Sequence, residues 1–194
     1  MAEVYPLFSR PIYKTEIETN MVVLDKVEWA GNYSNSISKS QNVLDLPEHA
    51  ALRAECERVL KDYHYGLMGA EEYVGIKITE SWFNRTEKGQ SHHRHWHPNS
   101  IYSAIVYIEC DESTGHTTFI TSAFDTIEFD IKEANLYNSR TWSYGSKKGD
   151  ILLFPSNVEH YVTTHESDKP RITLSFNAFV QGVINKNPLT KLEL

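Results

Sequence analysis

The apolar positions of this chain change period near residue 73. Upstream, Leu52, Cys56, Val59, Leu60 and Tyr63 recur every three or four residues and form one stripe, which predicts a helix. Asp45 followed three residues on by Glu48 reads as a capping box, Pro47 suits a first turn, and Gly66 or Gly69 supplies the stop. From Tyr73 onward apolar and polar residues alternate with period two in short runs divided by turn residues. These runs predict strands over 73–84, 92–97, 101–109, 116–121, 125–131, 150–154, 159–164 and 171–180. Residues 4–17 alternate loosely around Pro6 and Pro11, as an edge strand does. The Ser- and Asn-rich stretch 31–42 and the polar stretch 135–148 read as loops, and 185–188 as a surface tail. The pattern is mainly β with a flanking helix, and predicts a barrel or sandwich. We read one domain over 1–194, with an N-terminal strand and packing helix (1–72), a β core (73–181) and a tail (182–194).

Two stretches carry candidate chemistry. Four of the nine histidines fall within six residues, as His92, His93, His95 and His97. On an extended segment the His95-x-His97 step puts two imidazoles on one face. They need one more donor to hold a divalent transition metal. The apolar run Gly149-Asp150-Ile151-Leu152-Leu153-Phe154-Pro155 leads to His160, just past a buried strand, and Arg171 follows eleven residues later. On the strand that begins at Arg171, residues Arg171, Thr173, Ser175 and Asn177 share one face, and Ile172, Leu174 and Phe176 the other. If the polar face lines a cavity, Arg171 can grip a carboxylate bidentately, with the Thr173 hydroxyl beside it. Ser103, Ile105 and Tyr107 share a face of the 101–109 strand, so Ser103 and Tyr107 can add hydroxyls to the same pocket.

Composition narrows the partners. Of 194 residues, 40% are hydrophobic and 23% charged, as in a water-soluble globular protein, and the net charge of −7 argues against a general nucleic-acid binder while leaving room for a local basic strip. Cys56 and Cys110 form no C-x-x-C pair. The N-terminal residues carry no secretory signal pattern and no run reaches membrane-spanning length, so we expect a cytoplasmic protein with no membrane partner. Oligomeric state is not encoded in any pattern here.

The order Trp82, Gly89, HWHPNS, IYSAIVYI, Trp142, GDILLFPSNVEHYV and RITLSFN resembles the iron(II)- and 2-oxoglutarate-dependent dioxygenases. The nearest likeness is to a small branch with an H-x-H-P-N-S signature, some of whose members occur in bacteria and phages. The resemblance runs from about Trp82 to Asn177 and implies a double-stranded β-helix, the jelly-roll or cupin-like barrel, with iron at one mouth. It implies Fe(II) and O2 as cofactors and 2-oxoglutarate as cosubstrate, whose decarboxylation to succinate is coupled to hydroxylation. On that likeness His95 is the first metal ligand and His160 the distal one. Arg171, with Thr173 behind it, holds the far carboxylate of 2-oxoglutarate. Where the superfamily has an aspartate or glutamate between them, this chain has His97. Either three histidines form the site, or His97 stands aside and water completes it; we favour three histidines.

Two alternatives share the motifs. Gly89, five residues, then His95-x-His97, and Gly149, five residues, Pro155, then His160, follow cupin spacing, although no glutamate lies within Pro98–Tyr102. A non-catalytic module with a structural metal is the other. The substrate, a small molecule or a protein side chain, has no recognisable code. Tyr33, Trp96, Trp142 and Tyr144 can stack on it, although such aromatics as often pack a rim, and Asn99 is a further candidate contact.

Overall fold

The computed structural model describes residues 2–121, 130–145 and 147–194. Its twelve strands are β1 (Tyr13–Glu16), β2 (Trp29–Gly31), β3 (Ser36–Ser38), β4 (Val74–Thr86), β5 (His92–His95), β6 (Tyr102–Glu109), β7 (Thr117–Ile120), β8 (Thr141–Tyr144), β9 (Asp150–Pro155), β10 (His160–Val162), β11 (Arg171–Asn185) and β12 (Leu192–Glu193). The helix α1 covers Ala50–Lys61. A large sheet runs β1-β9-β6-β11-β4-β3-β2, with β12 folded back on the end of β11, and a small sheet runs β5-β10-β7-β8. All these strand pairs are antiparallel, in the jelly-roll arrangement the resemblance implies.

Each central strand divides its residues between two environments. Ala104, Val106, Ile108, Ile151, Leu153, Leu174 and Phe176 face outward and meet Leu52, Cys56, Val59, Leu60 and Tyr63 of the helical layer. Ile105, Tyr107, Leu152 and Phe154 face inward and meet Phe119 of the small sheet. On β11 the inward positions Arg171, Thr173, Ser175 and Asn177 are polar yet buried. The polar face of this strand therefore lines the interior and does not meet solvent.

Strand β4 keeps step with β11 until Asn177, which opposes Glu80, while Ala178 opposes Ile78. Thr79 is the extra residue of a β-bulge, and its hydroxyl donates to the Asn177 carbonyl at 3.3 Å. Its insertion reverses the phase of the strand. Glu80, Trp82, Asn84 and Thr86 share the inward face of their β11 partners, whereas Ile76 and Ile78 pack in the helical layer.

Four expectations need correction. The helix does not start at an Asp45 cap: Val43–Asp45 and Pro47–His49 form two tight 3-10 turns, and Asp45 pairs with Arg53. Residue His49 precedes the helix without a side-chain cap. A missing cap costs about 1 kcal/mol, whereas fully burying one leucine is worth roughly 1.5–3 kcal/mol. Buried Leu52 and Leu60 thus outweigh it. A π-type turn over Asp62–Leu67 extends the helix, and Gly69, at φ +67°, ends it.

The stretch 31–42 is not only loop, because β2 and β3 form a hairpin that extends the sheet beside β4, with Ser36 opposite Arg85. A Ser/Asn strand shows no apolar alternation; backbone ladders and the Phe83 N–H, which donates to Ser38 Oγ at 3.0 Å, hold it. Within 135–148, Thr141–Tyr144 is strand β8, paired to β7. The tail returns as β12. The strand expected over 125–131 falls, but for its last two positions, outside the described residues. No helix among the described residues is long and apolar enough to cross a membrane.

Candidate metal centre and cosubstrate pocket

The small sheet brings the histidines together. His160, the first residue of β10, lies directly opposite His95, the last of β5. His97, two residues on, is tied back by its own N–H, which donates to the Ser156 carbonyl at 3.0 Å. One potential ligand atom from each of His95, His97 and His160 lies within 4.8 Å of the others. Ring centroids are 4.3 Å apart for His95–His160 and 5.3 Å for His97–His160.

The three imidazoles are prepared alike. Nδ1 of His95 donates to the His93 carbonyl at 2.8 Å, Nδ1 of His160 to the Val158 carbonyl at 3.1 Å, and Nδ1 of His97 to Asn177 Oδ1 at 2.7 Å. With the proton on Nδ1, each Nε2 lone pair is left for a metal. Nε2 of His97 is buried and has no hydrogen-bond partner. Burial pushes His97 down to about 4 and carries His160 well below the ordinary histidine range, so both are neutral at physiological pH. Burial also lowers the partly buried His95, and a converging three-nitrogen set of this kind fits a divalent transition metal.

A second polar group lies further along the interior. Arg171 is only 2% exposed, donates from Nη2 to Thr117 Oγ1 at 3.2 Å, and sits 5.1 Å from the Tyr107 ring centroid. Thr117 Oγ1 also meets the Tyr107 hydroxyl at 2.5 Å. Nε of Arg171 is buried without a partner, and among the described residues no carboxylate forms an ion pair with Arg171. A buried charge with no counter-ion costs several kcal/mol. The surroundings of Arg171 are therefore complementary to an anion. Thr173 is buried next along the inward face and opposes Tyr107.

Not every expected residue joins these groups. Ser103 lies opposite Asn177, six positions along β11 from Arg171, or about 20 Å at the strand rise. Its hydroxyl donates to Asn177 Oδ1 at 2.8 Å and meets Ser156 Oγ at 2.8 Å, so it supports His97 and does not reach Arg171. Trp96, 53% exposed, and Asn99 line the open mouth, a cleft of about 430 Å³ shared with Gln41, Glu80, Trp82, His92, His95 and His97. Trp142 and Tyr144 do not line that cleft; they lie on β8, where Trp142 opposes Phe119 and Tyr144 opposes Thr117.

The sequence reading missed four participants. Asn177 was placed on the right face but given no task, and Glu80 and Ser156 reach it only through register. His92 stacks on His95 with centroids 4.6 Å apart, and burial, then the neighbouring imidazoles and Arg171, push it down to about 3. The unusual histidine density was its signal.

Comparison with known proteins gives the family and the fold. Residues 80–177 match the model of a family described as "Putative 2OG-Fe(II) oxygenase". No curated protein matches the chain. Among solved structures, HygX from Streptomyces hygroscopicus, with nickel and 2-oxoglutarate bound, superposes with a TM-score of 0.57 at 12% identity, over 86% of this chain and 82% of that one. An oxidoreductase of the 2OG-Fe(II) oxygenase family from Burkholderia pseudomallei gives 0.57 at 11% identity, over 79% and 72%. A Pseudomonas putida prolyl-4-hydroxylase gives 0.52 at 13%, over 88% and 92%. At these identities the structures speak for the fold, and the family match, which spans just over half the chain, speaks for the kind of enzyme. The cupin and binding-module alternatives fall away, and the chain belongs to the 2OG-Fe(II) oxygenase family, whose members use iron, 2-oxoglutarate and O2.

Proposed function

We propose that His95, His97 and His160 hold the iron, that Arg171 anchors the far carboxylate of 2-oxoglutarate, and that the cleft around Trp96 receives the substrate to be hydroxylated. The observation that carries this reading is the pairing of two features in one interior. A three-nitrogen set sits at the mouth, and a buried arginine with no acid partner among the described residues sits deeper.

The residues divide the work by position. The histidines fix the metal through Nε2 while their Nδ1 protons stay on fixed acceptors. Tyr107 and Thr117 hold the guanidinium, and its Nε, which has no partner, is left to meet a carboxylate. Phe119, Leu152 and Phe154 make the interior apolar, which strengthens that charge pairing and excludes water. The bound metal and cosubstrate supply the oxidative chemistry, and the protein supplies orientation. Trp82, Trp96, Glu80, Gln41 and Asn99 face the substrate. Solved structures of this fold include HygX with hygromycin B and a viral collagen prolyl hydroxylase. A small molecule and a protein side chain are therefore the two substrate classes to offer.

The direct test is succinate formation from 2-oxoglutarate with Fe(II), alone and with panels of both classes. We expect slow succinate release alone and stimulation by one panel. No succinate under any condition, with no 2-oxoglutarate binding, would reject the reading.

A smaller change probes the arginine pocket. Gly115, at φ +65°, lies against it: an added Cβ would stand 3.0 Å from Arg171 Cδ and 2.9 Å from His165 Nδ1. Gly115→Ala should shift the guanidinium and weaken 2-oxoglutarate binding by about tenfold to a hundredfold, with nickel affinity unchanged. Calorimetric titration of each ligand separates the two effects.

A further inference from the structure

We infer that Glu80 and Asn177 are positioning residues that set the tautomer of His97, and through it one bond to the metal. The inference rests on the reading of His97 as a ligand and goes beyond it. Asn177 bridges two groups of opposite demand. Its Oδ1 accepts from His97 Nδ1 at 2.7 Å and from Ser103 Oγ at 2.8 Å, and its Nδ2 donates to Glu80 Oε2 at 3.0 Å.

An amide can rotate by half a turn, and Asn177 seen from His97 alone would satisfy either orientation by switching the imidazole tautomer. Glu80 removes that freedom. An ionised carboxylate only accepts, so Nδ2 must face it and Oδ1 must face His97. An acceptor at that point requires the proton on Nδ1, which leaves the buried Nε2 bare and pointing at the site. The Ser103–Ser156 hydroxyl pair reinforces the choice, since Ser103 donates into the same Oδ1.

The relay also answers a question of charge. Three imidazoles leave the metal without the anionic ligand that the resemblance leads one to expect between the two histidines. Glu80 supplies a carboxylate one hydrogen-bonded amide away. The bulge at Thr79 makes this arrangement available, because the register beyond it sets Glu80 opposite Asn177 on the inward face.

The test exchanges donor and acceptor across the relay. Asn177→Asp keeps an acceptor for His97 but sets a second carboxylate against Glu80, and the repulsion should displace the His97 partner and weaken nickel binding by about 10–100-fold, the usual cost of disturbing a group behind a metal ligand. The double variant Glu80→Gln with Asn177→Asp restores one donor facing one acceptor and should recover affinity to within about threefold of the wild type. Asn177→Leu, which keeps the branched outline but no polar atom, should lose affinity without recovery by Glu80→Gln. Histidine-selective nitrogen NMR on the metal-free full chain gives a readout independent of metal and activity. His97 should be the Nδ1–H tautomer in the wild type and the double variant, and a mixture in Asn177→Leu. Thermal unfolding confirms that each variant is folded. An unchanged tautomer in Asn177→Leu, or no recovery in the double variant, overturns the relay alone. A wild type that binds no nickel overturns the ligand reading and the inference with it.

Discussion

Arg171→Ala should abolish useful 2-oxoglutarate binding while leaving the metal in place. Removing one partner of a buried, hydrogen-bonded charge pair costs about 2–5 kcal/mol, or roughly 30- to 5,000-fold in affinity at about 1.4 kcal/mol per tenfold. Stability should not follow. The ligand-free protein carries Arg171 2% exposed, with no ion-pair partner among the described residues, against Thr117 and the Tyr107 ring. Removing an unpaired buried charge also removes its desolvation penalty, which offsets the packing lost at Ala. Arg171→Lys should recover only part of the affinity, because an ammonium cannot offer two parallel N–H groups in one plane. The experiment is a titration of 2-oxoglutarate into nickel-loaded wild type and variants, with thermal unfolding alongside. Equal affinity in wild type and Arg171→Ala would remove Arg171 from the cosubstrate site.

His160→Ala should have the larger effect on the metal itself. Loss of an outer hydrogen-bond partner already costs about 10–100-fold in metal affinity, and His160 offers a lone pair and not a support. Its opposite residue His95 and the buried His97 then remain as two donors, too few for a tight site. His97→Ala decides between the two coordination schemes. If His97 is a ligand, its loss should match that of His160. If water takes that position, nickel affinity should hardly move. Calorimetric titration of nickel into the three proteins reads both. We expect both variants to lose binding beyond the hundredfold level, and unchanged affinity in His160→Ala would reject the metal centre as drawn.

Much of this molecule could be read from residue order. The alternation Arg171-Ile172-Thr173-Leu174-Ser175-Phe176-Asn177 showed both faces of the central strand, and burial of its polar face is visible only in three dimensions. The stripe on α1 was legible because five apolar residues keep helical spacing, whereas Asp45 misled because its carboxylate is taken by Arg53. Strands β2, β3 and β8 escaped because backbone pairing holds them, and backbone pairing leaves no mark on side-chain hydrophobicity. Spacing could place His95 and His97 on one segment, but the opposition of His95 to His160 depends on register across the small sheet. Asn177 reaches Glu80 across 97 residues of chain. Ser103 shows the converse error, being on the correct face but at the wrong end of it.

The bulge at Thr79 makes β4 two strands in one, and their side chains obey different frames. Across Glu80–Thr86 a gain or loss of one residue would slide Trp82 and Asn84 to the helix side and push Phe83 into the interior, because faces alternate at every step. Position 79 is different: without its extra residue, Ile78 would still face the helix and Glu80 would still face the cleft. Length change is thus tolerated at that junction and forbidden a few residues later. Relatives that differ in length along this strand should differ there, and the apolar and polar halves of β4 are free to drift apart in sequence without either losing its partner on β11.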